Sequence, residues 1–142
     1  MVLRPEAVRE RLLRLEEVVS RLEELARVEP TPPRSSFRDT WAVERGLQLG
    51  AEIVFDVGNH ILSAHFGVSA LDYEDILVQL GTLNVIPAPL LDRLKGLGGF
   101  RNILVHGYLR IDPERVVEFL RRAPAEFSDF AVAIRQWLTT VG

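Results

Sequence analysis

Apolar residues along this chain recur every three or four positions and seldom every second one. Val8, Leu12, Leu15, Val19, Leu22 and Ala26 form one such stripe, the spacing that lines side chains along one face of an α-helix. Pro5 suits a first helical turn, so the first predicted helix runs over about Pro5 to Val28. Glu29-Pro30-Thr31-Pro32-Pro33 ends it, because proline lacks an N–H and its ring collides with the preceding turn. Ser35 or Ser36 can cap a second helix, which the stripe Val43, Leu47, Gly50, Val54, Val57, Ile61 and Ala64 carries to about His65. Gly46, Gly50 and Gly58 are costly inside a helix, and close approach of a neighbouring helix is a reason to keep them. Gly67 suits the stop.

A short third helix fits about Asp72 to Leu80, followed by a turn at Asn84-Val85-Ile86-Pro87. A fourth is predicted from Pro87 or Pro89, bent at Gly96, Gly98 and Gly99. Asp112-Pro113 opens a fifth by an Asp cap with Pro at its first position. Pro124 is expected to break or kink it, and Phe127, Ala131, Ile134, Leu138 and Val141 continue its apolar face. The predicted architecture is all-α, an up-and-down bundle of about four to five helices, forming one domain over residues 1–142.

Composition narrows the function classes. Nearly half of the 142 residues are apolar and spread throughout, which argues for a packed core over disorder. There is no cysteine, so thiolate metal sites and disulfides are excluded. No signal-type apolar core or run of about 18 apolar residues is present, and a cytoplasmic protein with no membrane partner is expected. The net charge of −3 does not fit a bulk nucleic-acid binder, yet the charge is uneven. Arg93, Lys95, Arg101, Arg110, Arg115, Arg121 and Arg122 face only Asp112, Glu114 and Glu118 between positions 93 and 122. Glu44, Glu52, Asp56, Asp72, Glu74 and Asp75 face only Arg45 between 44 and 75. Mixed solvated helix faces give the same pattern without a function.

The basic half contains Gly99-Phe100-Arg101-Asn102-Ile103-Leu104-Val105-His106-Gly107-Tyr108. Histidine moves protons near neutral pH, and arginine holds phosphate with a planar fork of donors. RNA can be cut when its 2′-hydroxyl is deprotonated and attacks the adjacent phosphate. His106 is a candidate to take that proton or to protonate the leaving 5′-oxygen. Arg101 is a candidate to offset charge in the transition state. Asn102 would orient His106 or donate to a phosphate oxygen, and Tyr108 would contact the phosphate or position substrate. On a regular helix Arg101 and His106 point about 140° apart. Either the glycines distort the helix, or two copies meet and build a composite site.

Each residue also has a plainer role. Arg101 would bridge to a carboxylate, and His106 would be a satisfied core or interface residue. Asp56 and His60, four apart on one helix face, are either a hydrogen-bonded structural pair, an accessory part of the cleft or a metal pair. Two ligands alone make a poor metal site, so no metal and no cofactor are expected. His65 reads as a surface or dipole-satisfying residue, and Trp41 and Trp137 as core or interface.

Phe-Arg-Asn-x3-His-x-Tyr, together with Asp56-Val57-Gly58-Asn59-His60-Ile61, Tyr73-Glu74-Asp75-Ile76-Leu77 and Ile111-Asp112, resembles the HEPN superfamily and within it the HepT-like toxins. Gly107, where the family often has a bulkier or acidic residue, and Leu109-Arg110, in place of a more aromatic pair, are departures that remove no motif side chain. The resemblance implies a metal-independent endoribonuclease toxin of a type II or type VII-like toxin–antitoxin pair, acting as a homodimer whose motifs face each other across a cleft. It implies a small MNT-type nucleotidyltransferase partner that silences the toxin by AMPylation of the motif tyrosine, here Tyr108; a bulky anionic adduct there would block the site. The alternative is a non-catalytic substrate- or nucleotide-binding subunit of such a nucleotidyltransferase. A pure dimerisation scaffold is the third reading.

Overall fold

A computed structural model of the chain describes residues 2–28, 37–107 and 109–141. Among them are six α-helices and no strand: α1 Pro5–Val28, α2 Phe37–Ile61, α3 Tyr73–Thr82, α4 Ala88–Leu94, α5 Leu97–His106 and α6 Pro113–Val141. The proline-rich stretch and the caps expected at Ser35 or Ser36 lie outside the described residues.

The long helices α1, α2 and α6 pack on one another, and α5 rests on α2 and α3. Their predicted stripes are the core: Val8, Leu12, Leu15 and Leu22 of α1, Val43, Leu47, Val54, Val57 and Ile61 of α2, and Phe127, Ala131, Ile134 and Leu138 of α6 are all buried. None of the described helices is long and apolar enough to cross a membrane.

The glycines of α2 are where neighbours come close. A Cβ on Gly46 would lie 2.8 Å from Leu22 of α1, and one on Gly58 2.7 Å from Ile76 of α3. At Gly50 it would lie 2.2 Å from the buried Phe127 ring of α6, so the α2–α6 contact depends on the missing methyl. Gly50→Ala should therefore destabilise the fold by about 2 kcal/mol, the overpacking cost outweighing the helix-propensity gain. Gly99, exposed in α5 with nothing within 4 Å of an added Cβ, should gain about 0.5–1 kcal/mol from the same substitution. Urea midpoints of the two variants check the pair of signs.

Three expectations are corrected. The predicted fourth helix is two helices, which is why six are seen: Lys95 is extended and Gly96 left-handed at φ 93°, so the chain turns a corner between α4 and α5 instead of bending within one helix. Pro124 does not break α6, which continues from Pro113 to Val141. Of the core-or-interface expectation, the core half is corrected for Trp41, which is 68% exposed, whereas Trp137 is buried.

Other boundaries follow their local chemistry. The α2 helix stops at Ile61 and a π-helical turn, Leu62–Phe66, finishes the segment before left-handed Gly67. His65 in that turn is exposed, its ring edge-on to Phe66 and Trp137. Asp72 caps α3 by accepting from the Asp75 amide, and Asp112 accepts from the Glu114 amide at 3.0 Å to start α6. Gly67 and Asn84 are the left-handed residues of these connections.

Candidate active site

The motif helix α5 is fixed at its start by a carboxylate from another element. Glu74 of α3 accepts from the Gly98 amide at 2.6 Å and from the Gly96 amide at 3.2 Å. Helix N-termini leave such amides unpaired and carry partial positive charge, so a carboxylate suits them doubly. Gly98 makes the approach possible, since an added Cβ would lie 2.9 Å from the Glu74 backbone nitrogen. Two residues on, buried Phe100 stacks on Phe119 of α6 at 3.7 Å between ring centroids, nearly parallel. Cap and stack thus fix both the height and the rotation of α5.

Arg101 is held on three sides. Its Nε donates to Glu52 Oε1 of α2 at 2.5 Å, its guanidinium lies 4.5 Å from the Tyr73 ring centroid, and Nη1 donates to Asn102 Oδ1 at 3.3 Å. The Arg101 side chain is only 14% exposed. The carboxylate bridge weighed as its plainer role therefore exists. Asn102 spends its oxygen on Arg101 rather than on His106.

His106 is the last residue of α5 and is exposed. The Gly107 amide donates to the Ile103 carbonyl at 2.9 Å and closes the helix. A Cβ at Gly107 would lie 2.8 Å from that same oxygen, a local reason for glycine where a bulkier residue was expected. Because α5 is regular from Leu97 to His106, the glycines break the chain ahead of the motif and do not distort it. Arg101 and His106 accordingly leave the helix about 140° apart, Arg101 toward α2 and α3. Tyr108 lies outside the described residues.

Asp56 and His60 lie further along the α2 face that begins at Glu52. Burial pushes the Asp56 carboxyl above its usual range, the nearby Glu52 adds to this, and Arg11 and Arg101 oppose it. The hydrogen bond given to His60 comes from the Arg4 amide, which donates to Nε2 at 3.1 Å; the expected Asp56–His60 pair is replaced by this contact with the chain entering α1. Burial, then Arg11 and Arg4, push the His60 imidazole below its usual range. Among the described residues no group of three or more His, Asp or Glu is placed to hold a metal ion.

Glu52 and the capping role of Glu74 were missed in sequence. Glu52 did carry a signal: with Asp56 and His60 it makes an i, i+4, i+8 polar ridge along one face of the helix.

Comparison with known proteins gives relatives over most of the chain. The family model described as "Ribonuclease HepT-like" matches residues 15–134. A tRNA nuclease HepT from Aphanizomenon flos-aquae is 32% identical over 108 residues, covering 75% of this chain and 73% of that protein. An mRNA nuclease HepT from Shewanella oneidensis is 32% identical over 90 residues, 63% of this chain and 67% of that one. Among solved structures, a tri-AMPylated HEPN toxin of Shewanella oneidensis in complex with MNT antitoxin shares the fold with a TM-score of 0.80 at 24% identity, over 91% of this chain and 96% of that one. YutE, a cytosolic protein of unknown function from Bacillus subtilis, does so with a TM-score of 0.84 at 23% identity, over 99% and 94%.

Proposed function

Since the chain belongs to the HepT-like ribonuclease family, we propose that it is a metal-independent endoribonuclease toxin, a single helical domain that acts as a homodimer. The observation that carries this reading is the clamped Arg101 five residues ahead of an exposed His106 at the open end of α5. His106 removes the proton of a ribose 2′-hydroxyl, and the 2′-oxygen attacks the adjacent phosphorus. The bond to the 5′-oxygen breaks, and that oxygen leaves with a proton from an imidazolium. The products are a 2′,3′-cyclic phosphate and a 5′-hydroxyl. Arg101, fixed by Glu52, Tyr73 and Asn102, needs no reorganisation to meet the charge that develops on the phosphate oxygens. The 140° divergence on a regular helix supports a composite site, in which Arg101 of one copy and His106 of another meet one phosphate.

Regulation follows from chemistry close to the same site. A relative of this fold is AMPylated and bound to an MNT antitoxin, and Tyr108 stands two residues after His106. An adenylyl group on its hydroxyl adds bulk and a negative phosphate within the motif, which excludes RNA by volume and by charge.

Purified, unmodified protein should sediment as a dimer and cut total RNA in EDTA, leaving cyclic phosphate ends. Protein co-expressed with a nucleotidyltransferase partner should gain mass in multiples of one AMP, and lose the gain in Tyr108→Phe. A verified unmodified dimer that leaves RNA intact would instead assign the chain as a binding subunit of that nucleotidyltransferase.

A further inference from the structure

The Glu52–Asp56–His60 ridge leads from the motif arginine into a groove between α1 and α2. The groove has a volume of about 560 Å³ and is lined by Arg4, Arg11, Asp56, Asn59, His60 and Ser63 among others. Helical register builds it on both sides. Arg4, Ala7, Val8 and Arg11 share one face of the chain entering and forming α1, and Asp56, Asn59 and His60 share one face of α2, with Ser63 following in the π-helical turn. From Glu52 to His60 is about 12 Å along α2, a span a few nucleotides of extended strand can cover.

Its chemistry is cationic with polar donors. Arg4 and Arg11 bring two positive charges against the one carboxylate of Asp56. Because Nε2 of His60 accepts from the Arg4 amide, the neutral ring carries its proton on Nδ1 and remains a donor. Both cations act on His60, and Arg11 acts on Asp56, which also feels Arg101. Groove and motif arginine are thus electrostatic neighbours through one shared carboxylate. Three other arginines of α1 differ: Arg9, Arg14 and Arg21 pair with Glu6, Glu17 and Glu24 of the same helix.

We propose that this groove is a second phosphate-binding site, which takes a backbone phosphate of the RNA strand a few nucleotides from the one held by Arg101. The inference rests on the ribonuclease reading above for its choice of RNA. Arg4 and Arg11 hold the phosphate, while Asn59 and His60 donate to phosphate or sugar oxygens. Arg11 lies along its own helix, Nη1 donating to the Ala7 carbonyl at 3.1 Å, and Asp56 limits the attraction to a single net charge, so the groove orients the strand more than it adds affinity.

The test is binding, without cleavage, of a fluorescent RNA oligonucleotide whose sugars are 2′-O-methylated, followed by anisotropy over a salt series. The double substitution Arg4→Ala with Arg11→Ala keeps the Arg4 amide that His60 needs. It should weaken binding about tenfold and flatten the slope of log K against log salt by about 0.7 for each phosphate that the protein then leaves unneutralised. Arg14→Ala with Arg21→Ala removes the same charge from the exterior of α1 and should leave both quantities near those of the parent protein. Equal losses in the two double variants, or an unchanged slope in the first, would overturn the proposal, as would polyglutamate binding that the first variant loses while keeping the oligonucleotide. Failure of the ribonuclease reading appears separately, as intact RNA with the unsubstituted protein.

Discussion

His106→Ala should lower RNA cleavage by about 10²–10⁴-fold, the range that a positioned proton-transfer group supplies. The side chain is exposed at the end of α5, so its removal should change stability by no more than about 0.5 kcal/mol. The loss then belongs to chemistry and not to unfolding. Arg101→Ala should cost a comparable factor, about 10²–10³, but with a different signature. It strips Glu52 of its partner and Tyr73 of the cation above its ring, so it also lowers the unfolding midpoint. Arg101→Lys should not restore the rate, because an ammonium cannot bond Glu52 through Nε and still offer a fork to phosphate. Cleavage time courses beside urea titrations distinguish the three variants. A folded His106→Ala protein that cuts RNA at the unsubstituted rate would remove His106 from the site.

Glu74→Ala should come next in size. The carboxylate holds two amides at the start of α5, and hydrogen bonds to a charged acceptor contribute about 1.5–3 kcal/mol. Losing them frees the N-terminal end of the motif helix while Phe100 still anchors its middle. Arg101 then shifts against Glu52, and a misplacement on the order of 1 Å in a reacting geometry costs up to about 10²-fold in rate. Glu74→Gln retains one acceptor oxygen and should recover part of both losses. Gly50→Ala provides the comparison, since it weakens the α2–α6 contact without touching α5. At a temperature where all variants are folded, only the Glu74 substitutions should slow cleavage; equal slowing in Gly50→Ala would reduce Glu74 to a stabilising residue.

The long helices were legible because each carries its own amphipathic stripe, and α6 is so strongly patterned that it runs on through Pro124. The corner at Gly96 was legible only as a cluster of glycines. Which of Gly96, Gly98 and Gly99 turns the chain depends on how α5 meets Glu74, a contact 22 and 24 residues away in sequence. The same limit hid the partner of Arg101: an arginine announces that it needs a carboxylate but not which one, and Glu52 is 49 residues distant. Asp56 and His60 had the right spacing to pair, yet His60 turns to the Arg4 amide 56 positions earlier. Periodicity describes an element against itself, and these contacts arise between elements.

The Glu52–Arg101 pair has a kinetic consequence. Its charges nearly cancel, so this pair adds little to any long-range field that draws RNA to the motif. Encounter is then not steered by the pair itself, and an unsteered association proceeds at about 10⁵–10⁶ M⁻¹s⁻¹. An enzyme that meets all RNAs equally slowly chooses among them by how long each stays. Target choice is then decided by residence time on the strand rather than by the frequency of collision.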